Sequence, residues 1–264
     1  MVEREQCAWM IGHAVRAPSS FTRLEPAEHG GKHHGGWHLA PGLRRSAVAN
    51  LSILVPMADP LDVRPTDRSR LPPGQYRTVK WPVLHYSHVP HVDPAHWSFR
   101  VSGEVERPYE ISWTEFGALP RRDVLCDIHC VTKWSRYDNV FSGVPVAALL
   151  ERAGVRPNAT HALVHADPDY TTNLPLADLL RDGNLIATHH DGEPLAPEHG
   201  GPARLVVPHL YFWKSAKWVR GIELLEGDYP GLWEQNGYHK RGDPWAEERY
   251  GRPDPVRMRR GPRT

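Results

Sequence analysis

Proline density sets the first limit on what this chain can become. Its 264 residues include 26 prolines and 22 glycines. A proline removes a backbone donor and fixes φ, and glycine invites a turn. Punctuation this dense favours short elements and long loops over a helical bundle. Ten tryptophans and 17 histidines point the same way, toward aromatic-lined sites.

The chain is long enough to bury a substantial core without covalent staples. Its three cysteines, Cys7, Cys126 and Cys130, are too few for a disulfide-built secreted module and fit a reducing compartment. Lys plus Arg number 32 against 31 for Asp plus Glu, which leaves no chain-wide basic field for nucleic acid. No apolar run reaches the ~18 residues of a membrane span. The start Met1-Val-Glu-Arg-Glu-Gln6 lacks the basic opening and apolar core of a signal peptide. The expectation is a soluble, cytoplasmic protein with neither a nucleic-acid nor a membrane partner.

Three regions are expected. Residues 1–75 read as an irregular, partly disordered extension: His29–His38 is rich in His and Gly, Arg64–Gly74 in Pro and Arg, and only Ala47–Met57 is apolar enough for an ordered piece. Residues 76–228 carry the folded domain. Residues 229–264 form a tail in which Trp233, Tyr238 and Trp245 pack back on the domain before a disordered Arg257–Arg263 end.

Within the domain, Trp97–Gly103 alternates as a half-buried strand does, and Ser112-Trp-Thr-Glu115 is a capping box on a short helix limited by Pro120. Gly143-Val-Pro145 opens a helix that Gly154 closes, and Pro175–Gly183 repeats that grammar. Ala162–Ala166, Leu185–His190 before a tight Asp191-Gly192 turn, Ala203–Pro208 and Trp218–Leu225 read as strands. The sum is α+β: a mixed β-sheet with short helices and long loops, without the long-helix alternation of a Rossmann or barrel fold.

Chemistry concentrates in Cys126-Asp-Ile-His-Cys-Val-Thr-Lys-Trp-Ser135. A Cys130 thiolate is a soft ligand for a polarizable metal, and Lys133 or His129 beside it would favour deprotonation. The alternative is that Cys130 is a small buried hydrophobe. A third reading uses Cys126, His129 and Cys130 in a zinc-stabilised binding module, although structural zinc usually takes four ligands in two spaced pairs.

Six segments in order resemble the oxidoreductase family built on the sulfite oxidase molybdopterin-binding fold, especially its small, haem-free bacterial members. They are Trp97–Gly103, Cys130-Val-Thr-Lys-Trp-Ser135, Gly143-Val-Pro145 before a Leu-Leu helix, Gly192-Glu-Pro-Leu195, His199–Pro208 and Ser215-Ala-Lys-Trp218. The resemblance spans roughly residues 80–225. It implies a molybdenum–molybdopterin cofactor whose dithiolene supplies most of the sulfur, with Cys130 as the one protein thiolate.

The same resemblance places cofactor contacts at His85, Tyr86, His88, His199, Arg204, Ser215, Ala216 and Lys217. A guanidinium, an ammonium and free amides are the groups that cradle a phosphate. Cys126 has no counterpart in the family motif and is expected in the core, as are His165, His189 and His190 on strands. Sulfite oxidases carry an arginine near Tyr86-Ser-His88 and others just after the ligand cysteine; here the positions resemble the bacterial sulfoxide-reductase branch. Lys133 and Arg136 remain as positive charges. His129, Trp134 and Tyr170, the last in a loop at Asp169–Thr172, are candidates to line the substrate pocket and to donate a proton. The expected activity is oxygen-atom or two-electron transfer at a small polar substrate, sulfite-like or sulfoxide-like. Without a haem or flavin motif, an external electron-transfer partner is implied. The extra dimerisation domain of larger members is not expected.

Overall fold

The computed structural model describes residues 69–251. The His-rich segment, Ala47–Met57 and Arg257–Arg263 lie outside these residues. Eleven strands are described: β1 (Tyr76–Arg77), β2 (Ser98–Gly103), β3 (Tyr109–Ser112), β4 (Arg122–His129), β5 (Trp134–Pro145), β6 (His161–Ala166), β7 (Tyr170–Pro175), β8 (Leu185–His190), β9 (Glu193–Pro194), β10 (Arg204–Val206) and β11 (Val219–Leu225). The helices are α1 (Trp113–Gly117), α2 (Val146–Ala153), α3 (Leu176–Leu179) and α4 (Leu232–Gln235), with 3-10 turns at Pro94–His96, Pro197–His199 and Phe212–Lys214.

The strands make two sheets. One runs β1-β5-β8-β10, with β4 also on β5 and β9 on β8; the other runs β3-β2-β11-β6-β7. β1 is parallel to β5 and β11 to β2, while the remaining pairs are antiparallel, so both sheets are mixed. They share one core: Val144, Ile186 and Leu205 of the first sheet cluster with Phe99, Val101, Ile222 and Leu224 of the second.

Local sequence explains much of this. Ser112 Oγ accepts from the Glu115 amide while Glu115 returns a bond to the Ser112 amide, so the expected capping box starts α1. Pro145 is the N-cap of α2, and Gly154, at φ 71°, ends it. Between them Val146, Leu149, Leu150 and Ala153 form the buried face of an amphipathic helix of about two turns. Asp191 and Gly192, both at positive φ, make the tight turn from β8 into β9.

Six strands were not expected: β1, β3, β4, β5, β7 and β9. β5, at 12 residues, pairs with β1, β4 and β8 and is the centre of its sheet. Gly143 lies inside it, where an added Cβ would collide with the Ile186 backbone, so this glycine serves strand packing rather than a helix opening. The segment read as a loop after Asp169 is β7, paired along its length with β6. α3 stops at Leu179, short of Gly183, which takes a positive φ in the following turn.

Residues 229–251 pack on the sheets. Arg241 Nε donates to Asp178 Oδ2 at 2.7 Å, the Tyr211 amide donates to Gly242 O at 2.7 Å, and Tyr238 meets Trp213 edge-on. Trp233 lies on α4, whereas the Trp245 side chain stays 50% exposed, with an edge contact to His129. Among the described residues no helix is long and apolar enough to cross a membrane.

Candidate active site

Cys130 opens the turn that joins β4 to β5. The Cys130 amide donates to Trp134 O at 2.9 Å and the Lys133 amide to Cys130 O at 3.0 Å, with Lys133 at φ 77°. The thiol is 8% exposed, and Thr132 Oγ1 donates to its Sγ at 3.1 Å. Burial pushes the Cys130 thiol up; the Thr132 bond, Arg249 and Lys217 pull it back.

The positive groups acting on the sulfur are therefore not the two expected neighbours. Lys133 is exposed at the turn. His129 is buried, shares a 2.9 Å hydrogen bond with Ser135 Oγ, and burial pushes its imidazole down to about 4, so it carries no charge near neutrality. Cys126 sits on β4, where burial pushes its thiol to about 12. Cys126, His129 and Cys130 do not converge, and among the described residues no group of three or more His, Cys, Asp or Glu is placed to hold a metal ion. The zinc-module reading has no site here.

A second set of residues gathers around the chain from His199 to Trp218. Arg204, 1% exposed, donates from Nη1 to His199 O at 2.7 Å and from Nη2 to Ser215 O at 2.8 Å, and lies 4.2 Å over the Phe212 ring. Ser215 Oγ accepts from the Val207 amide and Ala216 O from the Leu205 amide, which fastens the 215–217 backbone to β10 and the residue after it. Lys217 Nζ donates to Leu84 O at 2.8 Å and Glu198 O at 2.5 Å. Gly200, at φ 104°, lets the chain pass Lys217: a Cβ there would lie 3.0 Å from the lysine's own Cα.

Lys217 also ties in the upstream segment. Its bond to Leu84 O places His85 beside it, with the His85 ring 6.1 Å edge-on from Trp218; Tyr86 meets Trp233 edge-on, and His88 shares a bond with Ser87 Oγ. All eight expected cofactor contacts thus fall in two adjoining segments. Trp134 is buried on β5 with its Nε1 lacking a partner, and the Tyr170 hydroxyl donates to Trp213 O at 2.6 Å.

Trp81 was not anticipated. It stacks on His199 at 4.0 Å and 13°, tilts on His190 at 4.3 Å, and has Arg204 5.6 Å from its ring. A lone Trp-Pro pair in a proline-rich segment carries no periodic signal to mark it. His190, expected to be structural, is a wall of this aromatic cluster. His165 bonds to Glu223 on β11, and His189 to Arg121 and Thr188.

The electrostatics are lopsided. Among the described residues neither Arg204 nor Lys217 forms an ion pair with a carboxylate; both bond only to neutral carbonyls. Burial pushes Arg204 down to about 9 and, with Arg204 adding repulsion, Lys217 down to about 7. His199 Nδ1 is buried without a partner. A buried guanidinium and a half-buried ammonium without an ion-paired carboxylate, beside an orphaned ring nitrogen, fit an anionic, hydrogen-bonding group, and a buried thiol close by fits a soft metal.

Residues 86–233 match the model of the oxidoreductase molybdopterin binding domain. The chain belongs to this family. It is a molybdenum cofactor-dependent oxidoreductase, and its α+β architecture is the sulfite oxidase molybdopterin-binding fold. This oxidoreductase is 50% identical over 189 residues to the uncharacterized oxidoreductase YuiH of Bacillus subtilis, covering 71% of the chain and 96% of the relative. It is 28% identical over 160 residues to the protein-methionine-sulfoxide reductase catalytic subunit MsrP of Gluconobacter oxydans, covering 54% of the chain and 51% of that protein. The oxidoreductase therefore spans about half the length of that relative. Among solved structures it resembles the sulfane dehydrogenase SoxCD of Paracoccus pantotrophus, with a TM-score of 0.52 and 22% identity over 58% of this chain and 43% of that one.

Proposed function

We propose that Cys130 is the protein ligand to molybdenum and that the substrate is a small polar sulfur–oxygen compound of the sulfoxide class. The observation that carries the site assignment is the pair of carboxylate-free cations, buried Arg204 and half-buried Lys217, in the same part of the fold as a buried cysteine. When bound, the cofactor supplies a metal that changes oxidation state by two electrons and transfers an oxygen atom.

The chain's own residues do the rest. Arg204, Lys217 and the 215–217 backbone neutralise and grip the anionic end of the cofactor, replacing water as its solvent. His199, stacked on Trp81 and held neutral because burial lowers it to about 4, offers one nitrogen to donate or accept without adding charge. Thr132 donates to the Cys130 sulfur and so stabilises its anionic form. Tyr86 and His88, in the segment that Lys217 fastens, put a hydroxyl and an imidazole in place of a guanidinium, which suits a dipolar S=O better than sulfite. The methionine-sulfoxide reductases among the relatives favour the same class. Those relatives are named as subunits, which supports an external electron-transfer partner here as well.

The test is metal and pterin analysis of protein made in a molybdate-supplied, pterin-competent host, beside Cys130→Ser. About one molybdenum per chain, with the thiolate signature absent from the variant's spectrum, and sulfoxide reduction with a viologen donor are expected. Wild-type metal spectra in the variant would remove Cys130 as ligand, and sulfite oxidation without sulfoxide reduction would replace the substrate class.

A further inference from the structure

The Cys130 turn is held from outside the stretch that matches the family model. Three of its carbonyls point at donors from the two flanks. Gln75 Nε2 donates to Cys130 O at 3.0 Å, the Tyr76 amide to Lys133 O at 2.8 Å, and Arg249 Nη1 to Val131 O at 2.7 Å. Gln75 and Tyr76 precede residue 86 and Arg249 follows residue 233, the limits of the match.

Arg249 joins all the pieces. Its second amino group donates to Pro73 O at 3.3 Å, and its guanidinium lies 5.0 Å over the ring of buried Tyr211. Its side chain is 12% exposed, and its ion pair with Glu247 is long, at 4.0 Å. Gly74 makes room for it: a Cβ there would sit 2.9 Å from Glu247 Oε1 and 3.4 Å from Arg249 Nη2.

A plain anchoring role for Arg249 does not account for this geometry. The terminal segment is already fastened by Arg241 on Asp178, by Gly242 O under the Tyr211 amide, and by Lys240 O on Lys214. Arg249 instead spends its fork on the turn that carries the thiol and on the opposite flank. A guanidinium suits this because its planar fork reaches two carbonyls at once, which an ammonium cannot do with the same rigidity.

We propose that Arg249, assisted by Gln75, is a positioning residue that fixes where the Cys130 sulfur stands toward the cofactor, so that both flanks are working parts of the site. This rests on Cys130 being the metal ligand.

The test uses the full-length, cofactor-loaded chain as Arg249→Ala, Arg249→Lys and Gln75→Ala, with Cys130→Ser as control. Amide hydrogen exchange read by mass spectrometry should rise about tenfold to a hundredfold in peptides covering residues 126–137 and 72–80 of Arg249→Ala, the loss of one charge-assisted bond, while β6 is unchanged. The Mo(V) electron paramagnetic resonance spectrum should shift in Arg249→Ala and Gln75→Ala, and Arg249→Lys should restore it only in part. A wild-type spectrum in both alanine variants overturns the proposal, as does exchange that rises equally across the chain. If Arg249→Ala does not fold, Gln75→Ala decides, because it removes the bond to Cys130 O and leaves Arg249 in place. A wild-type Mo(V) spectrum in Cys130→Ser would instead sink the ligand assignment itself, which separates the two failures.

Discussion

Replacing Arg204 by methionine should separate a residue kept for the fold from one kept for a ligand. In the cofactor-free chain two effects oppose each other. The substitution removes two charge-assisted bonds, to His199 O and Ser215 O, which together are worth about 3–6 kcal/mol. It also relieves a buried cation that no carboxylate compensates. Burial lowers Arg204 from the ordinary guanidinium range to about 9, a penalty of about 5 kcal/mol. The two terms nearly cancel, and methionine fills most of the volume, so the cofactor-free chain should change in stability by no more than about 2 kcal/mol. Cofactor retention should behave oppositely. Losing a forked cation to an anionic group costs about 3 kcal/mol or more, so molybdenum and pterin per chain after dialysis should fall by about a hundredfold in affinity terms. Urea unfolding of protein from a pterin-deficient host gives the first number, and metal and pterin analysis of loaded protein gives the second. Loss of more than about 4 kcal/mol in the cofactor-free chain, or wild-type retention of cofactor, would refute the reasoning.

The buried Lys214–Glu234 pair should respond in the other direction: Lys214→Met leaves the Glu234 carboxylate uncompensated and should cost about 3–5 kcal/mol in urea unfolding with or without cofactor. His190 should make stability depend on pH. Burial holds it at about 4 in the fold against about 6.5 unfolded, so below 6.5 the unfolded chain takes up its proton first and the folded state loses stability until about pH 4. His190→Gln should flatten that loss by roughly 1–2 kcal/mol, allowing for solvent at the ring, when unfolding free energies at pH 7 and 4.5 are compared. Tyr170→Phe removes only a donor to Trp213 O, and should cost about 1 kcal/mol of stability while steady-state kcat stays within about tenfold. A larger kcat loss would return the hydroxyl to the chemistry.

The parts of the fold visible in the sequence are those set by neighbours a few residues apart. The Ser112–Glu115 box, the Pro145 and Gly154 helix limits and the alternation of Phe99 and Val101 each act locally, and each sits where its pattern says. Two of the strands that escaped notice, β7 and β5, bury polar residues. In β7, Thr172 and Asn173 are 0% and 1% exposed because Glu234, Lys214 and Asp228, 55 to 62 residues away for the first and last of these, complete their hydrogen bonds. In β5, Asn139 is 0% exposed and answers Arg136 and His190. A hydropathy pattern reads such positions as loop, since their partners are remote in sequence. The His199–Trp218 segment was singled out by its resemblance to the family, which is possible because its residues lie close together in the chain. Trp81, Gln75 and Arg249 reach the site only through tertiary folding, over separations such as the 118 residues between Arg249 and Val131.

Lys214 and Lys217 show how burial alone misleads and pairing does not. Three residues apart, both are withdrawn from water, and burial lowers the pKa of each. Lys214 is completely enclosed, yet its ammonium finds Glu234 at 2.6 Å together with two oxygens of Asn173 and Lys240 O, so charge and donors are satisfied within the chain. Lys217 finds two carbonyls and no anion. A fold gains nothing by drawing an unpaired ammonium partly out of water beside an unpaired, buried guanidinium, because each raises the cost of the other. The pattern becomes favourable only when an anion occupies the space they face. Lys214 therefore belongs to the architecture, and in the function proposed above Lys217 and Arg204 are kept for the anionic group they would hold.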